Sequence, residues 1–68
     1  MEKIKIKIDW FQFMLDNMID MKELSKKTGK SLNSMYYIVN NEITLSTYLS
    51  LIENVPEIEK YVISKRSE

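Results

Sequence analysis

The 68-residue chain has no cysteine and no histidine, and only one glycine and one proline. Without cysteine there is no disulfide and no thiolate nucleophile, and without either residue type zinc fingers and histidine-based catalysis are excluded. One glycine cannot build a glycine-rich phosphate loop. Long apolar runs are missing too: the longest is the five residues Met35 to Val39, against about twenty needed to cross a bilayer. No membrane span is expected. The N-terminus alternates lysine with isoleucine and so lacks the apolar core of a signal peptide, which makes a cytoplasmic location the default expectation. There is also no excess of charge of either sign, since ten Lys and Arg balance ten Asp and Glu. A basic footprint is the usual mark of a nucleic-acid-binding domain.

What is present argues for one small globular domain. Forty-four per cent of the residues are apolar, more than a disordered chain carries. At this length a single core is marginal, so self-association would help. The charges are also unevenly placed. Residues 1 to 8 carry +2, residues 9 to 20 carry −3, residues 21 to 30 carry +3, residues 31 to 59 carry −4 and residues 60 to 68 carry +2.

The basic segment opens the most informative stretch, DMKELSKKTGKSLNSMYYIVNN, from Asp20 to Asn41. Asp20 with Glu23 three residues later reads as a capping box that starts a helix. Gly29 supplies the left-handed residue that ends it, and Ser31 offers a hydroxyl to cap the next helix. Laid out at 100° per residue, that second helix turns Met35 and Ile38 to the core, with Leu32, Tyr36 and Val39 widening the apolar arc. Asn33, Ser34, Tyr37 and Asn40 lie on the opposite side.

These residues resemble the Cro/repressor type of helix-turn-helix (Xre-like) found in phage and bacterial regulators. Leu24, Ser25, Gly29, Ser31, Met35, Ile38 and Asn40 fall on its pattern, and the likeness covers roughly residues 20 to 55. The resemblance implies an all-α, lambda-repressor-like fold of five short helices, with the second motif helix entering the DNA major groove. Carried over by position, it implies that Leu32, Asn33, Tyr36 and Tyr37 face base edges while Ser31 and Asn40 approach phosphates. Lys22, Lys26, Lys27 and Lys30 would meet the phosphate backbone.

Before the motif, Lys3 to Ile8 reads KIKIKI, a strand-like alternation. With no second strand pattern in view, residues 1 to 8 are expected either to pair with another molecule or to form a basic arm, and residues 9 to 66 to form the helix-turn-helix domain. Asp9 and Gln12 repeat the capping-box spacing. The helix they open has Trp10, Phe13, Met14 and Ile19 as its apolar face, with Phe11 and Met18 as further candidates, while Asp16 and Asn17 are placed toward water. An aromatic stripe at helical spacing is more often packing than a ligand site.

After the motif, Thr44 is expected to cap a fourth helix with Leu45, Tyr48, Leu49, Ile52 and Val55 inward. Pro56 then begins a fifth helix. The predicted core comprises Leu24, Met35, Ile38, Leu49 and Ile52. The stripe Ile58, Tyr61 and Val62 is assigned to a homodimer interface, and the tail from Ser64 to Glu68 is expected to fray.

No nucleophile has a base beside it and no metal-ligand cluster is visible, so neither an enzyme nor a cofactor nor a metal is expected. Two functions remain. One is a sequence-specific regulator that binds double-stranded operator DNA as a dimer. The alternative is a protein-binding module such as an antirepressor or phage-encoded inhibitor acting on a repressor or host protein. Its interface would be Leu32, Tyr36, Val39 and Ile43, spaced as a helix-in-groove series.

Overall fold

The computed structural model describes residues 3 to 67. In chain order the elements are β1 (Ile4–Ile8), α1 (Trp10–Asn17), α2 (Met21–Thr28), α3 (Leu32–Asn40), β2 (Ile43–Thr44), α4 (Leu45–Asn54), a 3-10 turn (Pro56–Tyr61) and β3 (Val62–Ser67). The all-α expectation is therefore corrected: four α-helices pack on a three-stranded antiparallel sheet of order β2-β1-β3. No described helix is long and apolar enough to cross a membrane.

The correction turns on β1. Its alternation does make a strand, but the partners come from this same chain. Lys5 and Ile6 face Thr44 and Ile43 of β2, and Ile4 through Ile8 run antiparallel to Ser67 back to Val62. Pairing on both sides satisfies the backbone groups that an isolated strand would leave open. Ile6 and Ile8 point into the core, so residues 4 to 8 belong to the packed unit rather than to an arm. Both partner strands lacked a readable signal. β2 is two residues long, and β3 is exposed on both sides from Ile63 onward. The predicted fraying tail is accordingly strand up to Ser67, while Glu68 lies outside the described residues.

Helix starts follow the side-chain caps. The carboxylate of Asp9 accepts from the Gln12 amide at 3.1 Å, and Asp20 accepts from the Glu23 amide at 2.9 Å. Gln12 does not reach back as a capping box requires, because its amide nitrogen donates to Asp16 at 2.7 Å. Thr44 caps α4 through the Thr47 amide at 3.3 Å. α1 ends on Met18, a left-handed residue at φ 53°, where the Ile19 amide donates back to the Met14 carbonyl.

Ile6, Phe13, Leu24, Met35, Leu51 and Ile58 form the solvent-free centre of the core. Trp10 and Tyr61 meet the Phe13 ring edge-on, with centroids 6.1 and 5.2 Å away. Leu24, Met35 and Ile38 are buried as expected, but Leu49 is half exposed and Ile52 only packs against the edge. α4 turns Tyr48 and Val55 inward as expected, but with Leu51 between them, while Leu45 is exposed. Apolar residues surround most of this helix, so two arcs satisfy the helical period, and the entry from β2 selects one.

The stripe assigned to a dimer is used within the protomer. Ile58 is fully buried, and Tyr61 packs on Phe13 and donates its hydroxyl to Asp16 at 2.7 Å. Val62 sits opposite Ile8 in the sheet. The fifth helix is a single 3-10 stretch that carries the chain back to β1, where the Asp9 amide donates to the Tyr61 carbonyl.

Candidate nucleic-acid interface

The turn between α2 and α3 is held at several points. Gly29 adopts φ 73° and donates its amide to the Ser25 carbonyl at 3.0 Å. A Cβ there would meet nothing closer than the Asn54 amide at 3.8 Å, so the backbone angle rather than lack of space calls for glycine. Ser25 donates its hydroxyl to the Lys30 carbonyl at 2.6 Å, and Asn54 of α4 donates to the Thr28 carbonyl at 3.0 Å. Thr28 itself is buried, with its hydroxyl directed at the Leu24 carbonyl and the Met35 sulfur. Ser31 then caps α3 by accepting from the Ser34 amide at 3.2 Å. The orientation of α3 against α2 is thereby fixed from both ends of the turn.

α3 is anchored by the buried Met35 and Ile38 and presents Asn33, Ser34, Tyr36 and Tyr37 outward. Tyr37 is 67 % exposed and Tyr36 50 %. No charged residue occurs from Ser31 to Asn41. The exposed face is thus a set of neutral hydrogen-bonding groups, Asn33 and Tyr37 being one helical turn apart. Leu32 is half buried beside Asp20, Met21, Lys22 and Tyr36 in a shallow hollow.

Asn40, assigned by position to a phosphate, has local work instead, as does its neighbour Asn41. Asn40 donates its side-chain amide to the Tyr36 carbonyl at 2.7 Å, and Asn41 donates to the Tyr37 carbonyl at 2.8 Å. They satisfy the open carbonyls at the helix end. Asn41 is extended at φ −137° because the chain enters β2 immediately afterward.

The lysines divide into two groups. Lys22, Lys26 and Lys27 are exposed on α2. Lys30 is half buried and donates its ammonium to the Ser50 hydroxyl at 2.9 Å, which ties it to α4. Lys30 also borders an open groove of about 370 Å³ with Lys5, Ser34, Tyr37, Thr44 and Thr47. Lys5, Ser34 and Thr47 escaped assignment from the sequence, Lys5 because its strand was read as separate from the domain. Glu42 borders the same groove. Two bonds from the Arg66 guanidinium, at 3.0 and 2.6 Å, hold its carboxyl below the usual range and balance its charge.

The protein-docking series on α3 does not form one surface. Ile43 is 4 % exposed inside the sheet, and Val39 packs against the core. Leu32, Tyr36 and Val39 keep some exposure, Val39 beside an open hollow with Lys7 and Asn40. Among the described residues no group of three or more acids could hold a metal ion. Comparison with protein-family models, curated proteins and solved structures returned no match for this chain.

Proposed function

We propose that the chain is a sequence-specific DNA-binding transcriptional regulator that inserts α3 into the major groove. The observation that carries this reading is the neutral, exposed face of α3, held by the Gly29 turn and flanked by the three free-standing lysines of α2. Asn33 has the paired donor and acceptor that match an adenine edge, Tyr36 and Leu32 suit a thymine methyl, and Lys22, Lys26 and Lys27 set the frame on phosphates. Lys30 contributes less, because Ser50 already engages it.

Operator binding as a dimer remains part of the proposal, with a change in how the dimer arises. Ile58, Tyr61 and Val62 are used inside the protomer. The outer edge of β3 is blunted by the register break at Ile63 and by Lys65 and Arg66. Two copies therefore come together on DNA, on half-sites about 34 Å apart. The burial of Ile43 inside the sheet weighs against the antirepressor alternative. Selection of bound sequences from random duplex DNA tests the reading: enrichment of a two-fold repeated motif is expected, and an unenriched pool at low salt rejects it.

A further inference from the structure

α1 carries an apolar stripe that the core does not use. Phe11 is 74 % exposed, Leu15 55 % and Met18 90 %, at positions one and two helical turns apart on one side. Packing of this helix is already provided by Trp10 and Phe13. Met14 and Ile19, both half buried, floor a hollow of about 630 Å³ beside the stripe, and Asp20 and Glu23 close one end. Three such side chains expose on the order of 400 Å², the size of patch that on a monomer is often functional.

Two further observations indicate what covers it. Met18 holds a left-handed backbone that glycine would adopt with less strain, yet it displays the most exposed large apolar side chain of the described residues. The two charged residues that line the hollow, Asp20 and Glu23, are both acidic. Methionines on an apolar surface adapt to varied side chains.

We propose that this stripe docks a basic amphipathic helix of a partner protein, with apolar anchors against Phe11, Leu15 and Met18 and lysines or arginines against Asp20 and Glu23. A second copy of this chain is a poor occupant. Packing α1 on α1 sets acid against acid, and the exposed side of α2 offers Lys22, Lys26 and Lys27 without apolar anchors between them. Asp20 also borders the hollow beside Leu32 and Tyr36, but the anchors Phe11, Leu15 and Met18 all belong to α1 and its C-cap, so the inference does not rest on α3 binding DNA.

The test uses methyl-labelled methionine in the intact protein, titrated with a small panel of synthetic helical peptides bearing leucines at three- and four-residue spacing. One set has lysine flanks and the other glutamate flanks. The expected result is that at least one lysine-flanked peptide shifts the Met14 and Met18 methyl signals saturably while its glutamate counterpart does not. Phe11→Ser should then weaken binding at least tenfold, and Glu23→Lys should weaken it as well, with the Asp20 carboxylate left in place to cap α2. Both variants alter exposed side chains, and unchanged Met35 signals verify that the core is intact. The proposal is overturned if no lysine-flanked peptide binds, if both flank types bind equally, or if the Met18 signal moves with protein concentration alone.

Discussion

Replacing Ile6 by Ala should remove a large part of the stability of the domain, although Ile6 lies in a stretch that could be taken for a terminal arm. Ile6 is fully buried on the central strand, between β2 and β3. Truncation there loses the transfer free energy of the missing carbons and leaves a cavity under rigid neighbours, about 2–5 kcal/mol together. A domain of this length has roughly 3–10 kcal/mol in total. At about 4–8 °C per kcal/mol, the melting temperature should fall by roughly 10 °C or more. The next residue is the internal control, because Lys7 points to solvent and its replacement by Ala should stay within about 0.5 kcal/mol. Urea unfolding followed by Trp10 fluorescence and far-ultraviolet circular dichroism measures both variants, Trp10 being a buried reporter on the adjoining helix. Equal midpoints for Ile6→Ala and Lys7→Ala would refute the placement of β1 in the core.

Three further outcomes are expected. Met18→Gly should stabilise the fold by about 1 kcal/mol, since the left-handed residue at the end of α1 loses its Cβ strain; a lower unfolding midpoint would contradict that. Tyr61→Phe should make stability less dependent on pH. The Tyr61 hydroxyl, with Gln12, holds the Asp16 carboxyl below its ordinary 3.8, while the bond to Asp16 holds the phenol above its ordinary 10.0. The lowered carboxyl contributes stability above its ordinary value and loses it as pH falls through the folded value, whereas the raised phenol contributes below 10.0 and loses it as pH rises through its folded value. The advantage of the parent over Tyr61→Phe in urea midpoint should therefore be level near neutrality and shrink in acid; an undiminished advantage at about pH 2 would rule out this linkage. Asn33→Ala should leave folding intact and cost about 1–3 kcal/mol of discrimination at one base pair, which competition between duplexes differing at that pair would measure.

The pair α2 and α3 with the turn between them was legible because its signals are local. Asp20, Gly29 and Ser31 act through bonds to residues three or four positions away, and the side of α3 that holds Met35 and Ile38 follows from period alone. The sheet was not legible for the opposite reason. Ile6 announces a strand, but its partners Ile43 and Lys65 lie far along the chain in segments without alternation. Once β1 is inside, the adjacent readings change with it: Ile58 and Val62 become core and sheet residues instead of a dimer seam. The site was partly readable. Exposure of Asn33 and Tyr37 followed from the helical arc, whereas Tyr36, placed on the apolar arc, is half exposed, and the bond that engages Lys30 reaches twenty residues along the chain to Ser50, which no spacing rule identifies. The exposed stripe of Phe11, Leu15 and Met18 was mistaken in part for core, because α1 is apolar around most of its circumference.

The measurement that tests DNA reading most directly is selection from random duplex DNA followed by a salt titration on the enriched sequence. Parent protein and a triple variant with Lys22, Lys26 and Lys27 replaced by alanine would be titrated side by side. The account predicts a single enriched motif and an affinity that falls with salt at a log-log slope of about −3 for each copy bound, at roughly −0.9 per phosphate neutralised by the three lysines. The triple variant should lose most of that slope while keeping the sequence preference that Asn33 and its neighbours supply. A folded protein that enriches no motif at low salt, or whose binding is indifferent to loss of the three lysines, would contradict the assignment of α3 as a DNA-reading helix.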